Sequence, residues 1–246
     1  MSGLICAGNV YLNRKISGAF TGFHGPINAT KFAISVGESN TIERPSFMRD
    51  TYGQILDSVV IPGSSTLSIE TDDAAAEILQ YMLLGTLTDI TGNTTPVADE
   101  EVTGYLGKWT KLSRRNIGSV VVTDTAGTTT YVNGTHYVLD AVAGMIKPLA
   151  SGTITDGQSL KVDFTPVAMT GRQIITSTST EVRAMVRLDG KNLANQKKVE
   201  VLCHEAVLIP SGELDLAGQA FLTFGLTGTL ITPDGETGPM IYREID

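Results

Sequence analysis

Residues able to do chemistry are few in this chain, and they are scattered. Three histidines, His24, His136 and His204, stand far apart in 246 residues, and none has the spacing of a metal-ligand set. The most reactive run is Cys203-His204-Glu205, a thiol, an imidazole and a carboxylate in succession. On a strand, successive side chains point to opposite faces, so Cys203 and His204 do not converge on one metal ion. Cys203 reads instead as a small buried hydrophobe. His136 follows Asn133-Gly134 and reads as a cross-strand neighbour. Gly18, Gly22 and Gly25 do not match a dinucleotide loop, and no strand-to-helix passage follows them. A Gly-rich Lys loop, a Ser nucleophile elbow and a calcium loop are all missing. Arg114-Arg115 and Lys197-Lys198 read as solvated pairs. The expectation is a protein that is not an enzyme, with no catalytic residue, no metal ligand and no cofactor.

Composition narrows the partners. Eighteen Lys and Arg face 26 Asp and Glu, a net charge of −8. That balance argues against a groove that grips phosphates, which needs clustered cations. Charged residues make up only 18% of the chain, while 41% are hydrophobic. Either part of the surface is buried against other subunits, or a Thr/Ser-rich β surface stands in for charge. The opening residues Met1–Ala7 lack the basic region and apolar run of a signal peptide. No run approaches the roughly 18 apolar residues of a spanning helix. Synthesis in a cytoplasm, with Cys6 and Cys203 reduced, is the expectation.

The elements that must position these residues are strands, with one exception. Residues 72–84 predict a helix, with Thr71 or Asp72 as its cap and Gly85 closing its last turn. Its apolar face is Ala75, Leu79, Met82 and Leu83, which is to pack on the strands and carry no site. Before it, Phe32, Ile34 and Val36 alternate with polar or small residues, and Ile42 to Asp50 continues extended but irregular. Val59-Val60-Ile61 and Leu67-Ser68-Ile69 bracket the turn Pro62–Ser65. After it, Thr86–Glu101 reads as a linker or long loop. Residues 100–168 read as an inserted all-β unit, with a hairpin at Asn133-Gly134 and Trp109 anchoring its core. The main domain, 1–99 and 169–246, resumes with a long strand from Ile174 to Leu188 and a turn at Asp189-Gly190. Val199, Val201 and Cys203 alternate next, then Ala220, Leu222, Phe224 and Leu226. The pattern predicts a mainly β sandwich or barrel. Long half-polar strands leave edges that a neighbouring subunit can pair.

The order of segments resembles the major tail tube protein of long-tailed, siphovirus-type bacteriophages. The stretches that carry the resemblance are Gly8–Leu12, Ser46–Gly53, the helix opening at Asp73–Ala76 and the closing Ala220–Thr229. Lys108–Leu112 through Ile117, with Gly144-Met145-Ile146 and Leu160–Phe164, is similar to an insertion in some such proteins. The resemblance implies two packed antiparallel sheets with one flanking helix. It also implies hexameric rings that stack into a conduit in the virion tail, through which DNA leaves without being bound. Implied partners are further copies of the chain, a tape measure protein, and terminator and tip proteins; no membrane is involved. Acidic walls suit such a conduit, because a basic wall would hold phosphates. Lumen-facing candidates are Glu38, Glu43, Glu70 and Glu181, with Lys31 and Arg183 as pairing cations. A β-sandwich binding module, such as a virion decoration or carbohydrate-binding adhesin domain, is the alternative from another class.

Overall fold

A computed structural model describes residues 3–218 and 221–245. Met1, Ser2, Gln219, Ala220 and Asp246 lie outside the described residues, so the expectations for Met1–Ser2 and Ala220 go unassessed. The chain forms two compact units, residues 1–87 with 174–246, and residues 88–173. The inserted unit therefore begins about a dozen residues before 100 and ends after 168.

In chain order the first unit begins with β1 (Cys6–Ile16), β2 (Ala19–Ile27), β3 (Ala29–Ser35), β4 (Asn40–Pro45), β5 (Ile55–Ile61), β6 (Thr66–Thr71) and α1 (Ala76–Met82). β7 (Thr86–Thr91) follows. The second unit holds β8 (Val97–Gly104), β9 (Thr110–Lys111), β10 (Ile117–Asp124), β11 (Thr130–Tyr131), β12 (Tyr137–Asp140), β13 (Met145–Pro148) and β14 (Gln158–Pro166). β15 (Thr170–Ile175) pairs with β7. The first unit then resumes with β16 (Val182–Asn192), β17 (Lys198–Ser211), β18 (Phe224–Ile231) and β19 (Met240–Ile245). The protein is mainly β, with one short helix among the described residues. Thr86–Glu101, expected as linker, contains β7 and most of β8; in β7 the β-branched Thr86, Thr88 and Ile90 fall at alternate positions, which suits a pleated surface.

One antiparallel sheet organises the first unit, in the order β2-β1-β16-β17-β18-β6-β3. β17 is the longest strand at 14 residues. One of its edges follows β16; the other pairs β19 over Lys198–Cys203 and β18 over Glu205–Ser211. Val10, Ile27, Leu67, Val186, Leu208 and Phe224 share one buried cluster, although they come from both ends of the strand order. The sheet thus wraps round its own core. The expected turn at Asp189-Gly190 lies inside β16. Gly190 is needed because β1 passes so close that a Cβ on Gly8 would meet Gly190 Cα at 2.6 Å. The chain reverses instead after Asn192, whose N–H donates to Lys197 O at 2.9 Å.

The helix is shorter than its pattern. Thr71 Oγ1 accepts from Asp73 N–H and Asp73 Oδ1 from Ala75 N–H, so of the two predicted caps Thr71 bonds ahead of the helix, while Asp72 instead accepts from Asn28 and Asp73 takes the next bond. Ile78, Tyr81 and Met82 form the buried face; Ala75 and Leu79 only flank the core, and Leu83 lies outside it. Leu84, not Gly85, takes the left-handed conformation, at φ 47°. Gly85 is required for space, since a Cβ there would sit 2.5 Å from Ile174 Cγ2. The expected strand Ile174–Leu188 is broken over residues 176–181. Ser177, Thr178 and Ser179 turn their N–H groups to the carbonyls of Leu83 and Leu84, at 2.9–3.0 Å. Those carbonyls end a helix and need donors more than a sheet needs length.

The second unit stacks its apolar side chains between a four-stranded sheet, β11-β10-β14-β8, and a three-stranded one, β12-β13-β9. Leu112, Val122, Ile146, Leu160, Val162 and Phe164 fill the core. Trp109 does not anchor it. The indole is 44% exposed, with Lys147 Nζ 4.9 Å from its ring centre. Asn133-Gly134 is no two-residue hairpin either, because β11 and β12 belong to different sheets. Gly134 (φ 84°) turns the chain between them, and His136 Nδ1 accepts from Val132 N–H at 2.9 Å.

Candidate functional site

The chemically suggestive residues separate in three dimensions. Cys203 lies in the core of the first unit, where burial pushes its thiol up to about 12. His204 Nε2 sits 3.5 Å from Glu236. Glu205 faces elsewhere because β17 carries a bulge: Val186 pairs Cys203 and Ala184 pairs Ala206, so Met185 of β16 stands opposite both His204 and Glu205 of β17. The extra residue turns Glu205 out of the apolar row. Its carboxylate meets Lys15 Nζ at 2.6 Å and Arg183 Nη1 at 3.1 Å. Burial pushes Glu205 up, but the hydrogen bonds and charges of Lys15 and Arg183 outweigh it, and the group is held below the usual range. No group of three His, Cys, Asp or Glu is disposed to hold a metal ion among the described residues.

Of the lumen-facing candidates, the structure brings two pairs together. Lys31 on β3 contacts Glu70 on β6 at 2.7 Å. Arg183 contacts Glu181 at 2.7 Å and so joins the Glu205 network. Glu181 itself sits in the break before β16 rather than on a strand. Glu38 and Glu43 belong to neither group: Glu38 lies just before β4, and Glu43 lies on β4 opposite Ser58.

β4 and β5 pair only with each other, and every residue of both is exposed. They form an arm that continues the β3–β6 pair. At its base the two chains almost touch: a Cβ on Gly37 would meet the backbone of Ser64, and one on Gly63 the carbonyl of Glu38. Only glycine permits that approach. Beyond it, Ile61, Ile42 and Val59 form a row on one face, since Ile42 pairs Val59 and Asn40 pairs Ile61. Thr41 and Val60 pair on the other face.

The tip of the arm is ordered by its own hydrogen bonds. Ser46 N–H donates to Gln54 O at 2.7 Å, Gly53 N–H to Ser46 O at 2.9 Å, and the hydroxyls of Ser46 and Thr51 meet at 2.7 Å. Ser46 is thereby buried, while Phe47 and Tyr52 stand 77% and 72% exposed with ring centres 5.9 Å apart. Nine large apolar or aromatic side chains between Ile42 and Ile61 are exposed. The sequence pattern missed this surface because it reads as strand plus irregular segment. The signal was present in the apolar run Val59-Val60-Ile61 with no polar alternation.

A wrapped antiparallel sheet with an exposed apolar arm defines a class by architecture: a mainly β protein with one short helix among the described residues. The chain belongs to the family described as "protein of unknown function UCP028589", whose model matches residues 4–241. No curated protein matches it.

Proposed function

We propose that this protein is a structural subunit that polymerises with copies of itself, in the manner of a phage tail tube protein. Rings, hexameric by the resemblance, stack into a conduit for DNA. One observation carries the reading: the β4–β5 arm, whose nine large apolar or aromatic side chains stand exposed among the described residues. A contiguous patch of that kind on a folded chain marks a protein–protein surface. Support also comes from the acidic first unit. Residues 1–87 and 174–246 hold eleven Lys and Arg against eighteen Asp and Glu, an excess of carboxylate that repels duplex DNA rather than binding it. Negative-stain microscopy of the purified chain tests the proposal, with rings or tubes expected. A monodisperse monomer at high concentration, in every salt condition tried, overturns it.

A binding-module reading has one observation of its own. Trp109 and Tyr105 stand partly exposed on the second unit, and exposed rings are what stacking by a glycan requires. Glycan-dependent change in Trp109 fluorescence, from a monomer that forms no rings, would favour that reading.

A further inference from the structure

The wrapped sheet of the first unit does not close along its whole length. β2 begins to pair with β1 at Val10, so the outer edge of Cys6–Asn9 has no strand beside it among the described residues. β3 pairs β6 on one edge and nothing on the other. Between these two free edges lies a cleft of about 570 Å³ that reaches down to the core. Val10, Phe32, Ile34, Leu188, Val199 and Tyr242 line it. No residue of the arm is among the lining residues, so among the described residues the arm does not fill the cleft of its own chain.

We propose that the tip of the arm of one copy, Phe47, Met48 and Tyr52, seats in this cleft on a second copy. The contact requires that copies associate, as the subunit reading has it, and it names the surfaces through which they do so. Three features of the chain point to a second copy as the occupant. First, the tip is pre-organised: its backbone is pinned by the Ser46, Thr51 and Gln54 hydrogen bonds, so little order is lost when its aromatics are buried. Second, knob and hole match in chemistry. Large apolar side chains stand unburied on one, and a cleft with room for several such side chains lies open on the other, where Val10, Phe32, Ile34 and Tyr242 are interspersed with polar groups of Asn28, Thr30 and Lys31. Third, the charges at their margins correspond. Arg49 and Asp50 pair at 3.0 Å on the tip, flanking its apolar residues, while Lys31 lines the cleft and pairs Glu70. The two pairs can exchange partners across the contact, Asp50 with Lys31 and Arg49 with Glu70, and form a polar rim. Because knob and hole are different surfaces of the same chain, the contact is heterologous. It propagates from copy to copy and ends only when a ring closes.

The native cysteines supply a direct test. Cys6 is exposed and lines the cleft, whereas Cys203 is buried. In the full chain, Met48→Cys puts a second accessible thiol on the tip. Mild oxidation with copper–phenanthroline should then give a ladder of disulfide-linked oligomers on a non-reducing gel. The ladder should vanish with reductant and in Met48→Cys/Cys6→Ser. Thr128→Cys, an exposed position on the second unit, should give no ladder. In parallel, Phe47→Ala should weaken self-association at least tenfold by sedimentation, with the far-ultraviolet spectrum unchanged. Rings that assemble while Met48→Cys yields no ladder would overturn the arm-in-cleft contact and leave the subunit reading intact. A ladder without rings would keep the contact and overturn the closure into rings that the subunit reading includes. Crosslinks that survive Cys6→Ser, or an unweakened Phe47→Ala, would also overturn the contact.

Discussion

The second unit and the β4–β5 arm are made of the same material and solve opposite problems. Both are short strands rich in Val, Ile and Thr, joined by turns that their own side chains hold. The second unit covers its apolar side chains: Leu112, Val122, Ile146, Leu160 and Val162 are buried to within about one per cent. Those left outside, such as Val121, Val132 and Val142, are single residues spread over the chain. The arm has two strands and, among the described residues, no second layer over it, so Ile42, Val59, Val60 and Ile61 stand exposed. An isolated two-stranded ribbon is marginal in water. Its persistence here rests on a glycine-paired base continuous with β3 and β6, and on a hydrogen-bonded tip. Charge divides the units in the same way. The second unit holds seven Lys and Arg against eight Asp and Glu, so nearly all of the chain's net −8 belongs to the first. Apolar area folds a chain when it is enclosed within a layer, and assembles chains when it is not.

The comparison breaks most visibly through two phenylalanines. Phe164→Ala in the second unit should cost about 3–5 kcal/mol in a denaturant melt, because it removes a buried ring and leaves a cavity. Phe47→Ala on the arm should change the same melt by less than about 0.5 kcal/mol, measured on dissociated protein. Comparable losses at the two sites would mean that the arm is folded against its own chain.

A smaller contrast separates two neighbours on the helix. Ile78 is 1% exposed, so Ile78→Ala should cost about 2–5 kcal/mol. Leu79 only flanks the core, and its replacement by Ala should cost roughly half as much or less. Equal costs in paired melts would restore the Ala75/Leu79/Met82/Leu83 face that the apolar spacing selects.

That face shows how far the sequence could be read. Ile78, Leu79, Tyr81, Met82 and Leu83 are all apolar or aromatic, so a period of 3.6 fits several rotations of the helix, and only the sheet decides between them. Strands were legible where alternation was clean, as in Phe32/Ile34 and Val199/Val201/Cys203. They were not legible where a bulge shifts the phase, as between Cys203 and Ala206, which hid the Glu205 network. Local pattern also could not foresee that helix α1 recruits Ser177–Ser179, or that Trp109 is left outside. The arm was hardest. Its strands have strong β character, but their exposure depends on what is absent around them, and no window of sequence records that.

Below these in size comes Glu205, which tests how the first unit holds a buried charge. Glu205→Ala leaves Lys15 and Arg183 facing an apolar gap, but both cations are partly solvated, at 26% and 45% exposure. Screening brings the expected cost to about 1–2 kcal/mol. Because the folded carboxyl is held low, its contribution is present above the unfolded carboxylate range and fades as pH falls through the folded value. Melts of the wild type between pH 5 and pH 3 should therefore lose stability that Glu205→Ala does not lose; parallel curves would sink the assignment.

The smallest effect should appear in a turn of the second unit that is settled wholly by local bonds. Asp124 closes the β10–β11 turn, with Oδ1 accepting from Thr128 N–H at 2.7 Å and Thr129 N–H at 3.1 Å, and Oδ2 from Thr128 Oγ at 2.8 Å. The bonds from Thr129 and Thr128 lower the group to about 2, against a small opposing effect of desolvation. A carboxyl depressed in the fold stabilises above its unfolded value, near 4, and loses that contribution as pH falls toward 2. Amide exchange of Thr128 and Thr129 should therefore quicken between pH 4 and pH 2, beyond the intrinsic pH dependence of exchange. In Asp124→Asn the amide oxygen still accepts from the Thr128 and Thr129 N–H groups, without a charge to titrate, so the step should disappear while the turn remains. The arm tip offers the matching control, because its turn is held by hydroxyl and backbone groups that do not titrate in this range. Gly53 and Gln54 amides should show no such step. A step of equal size at both turns would mean that low pH loosens the β structure as a whole, and that Asp124 has no particular hold on its own turn.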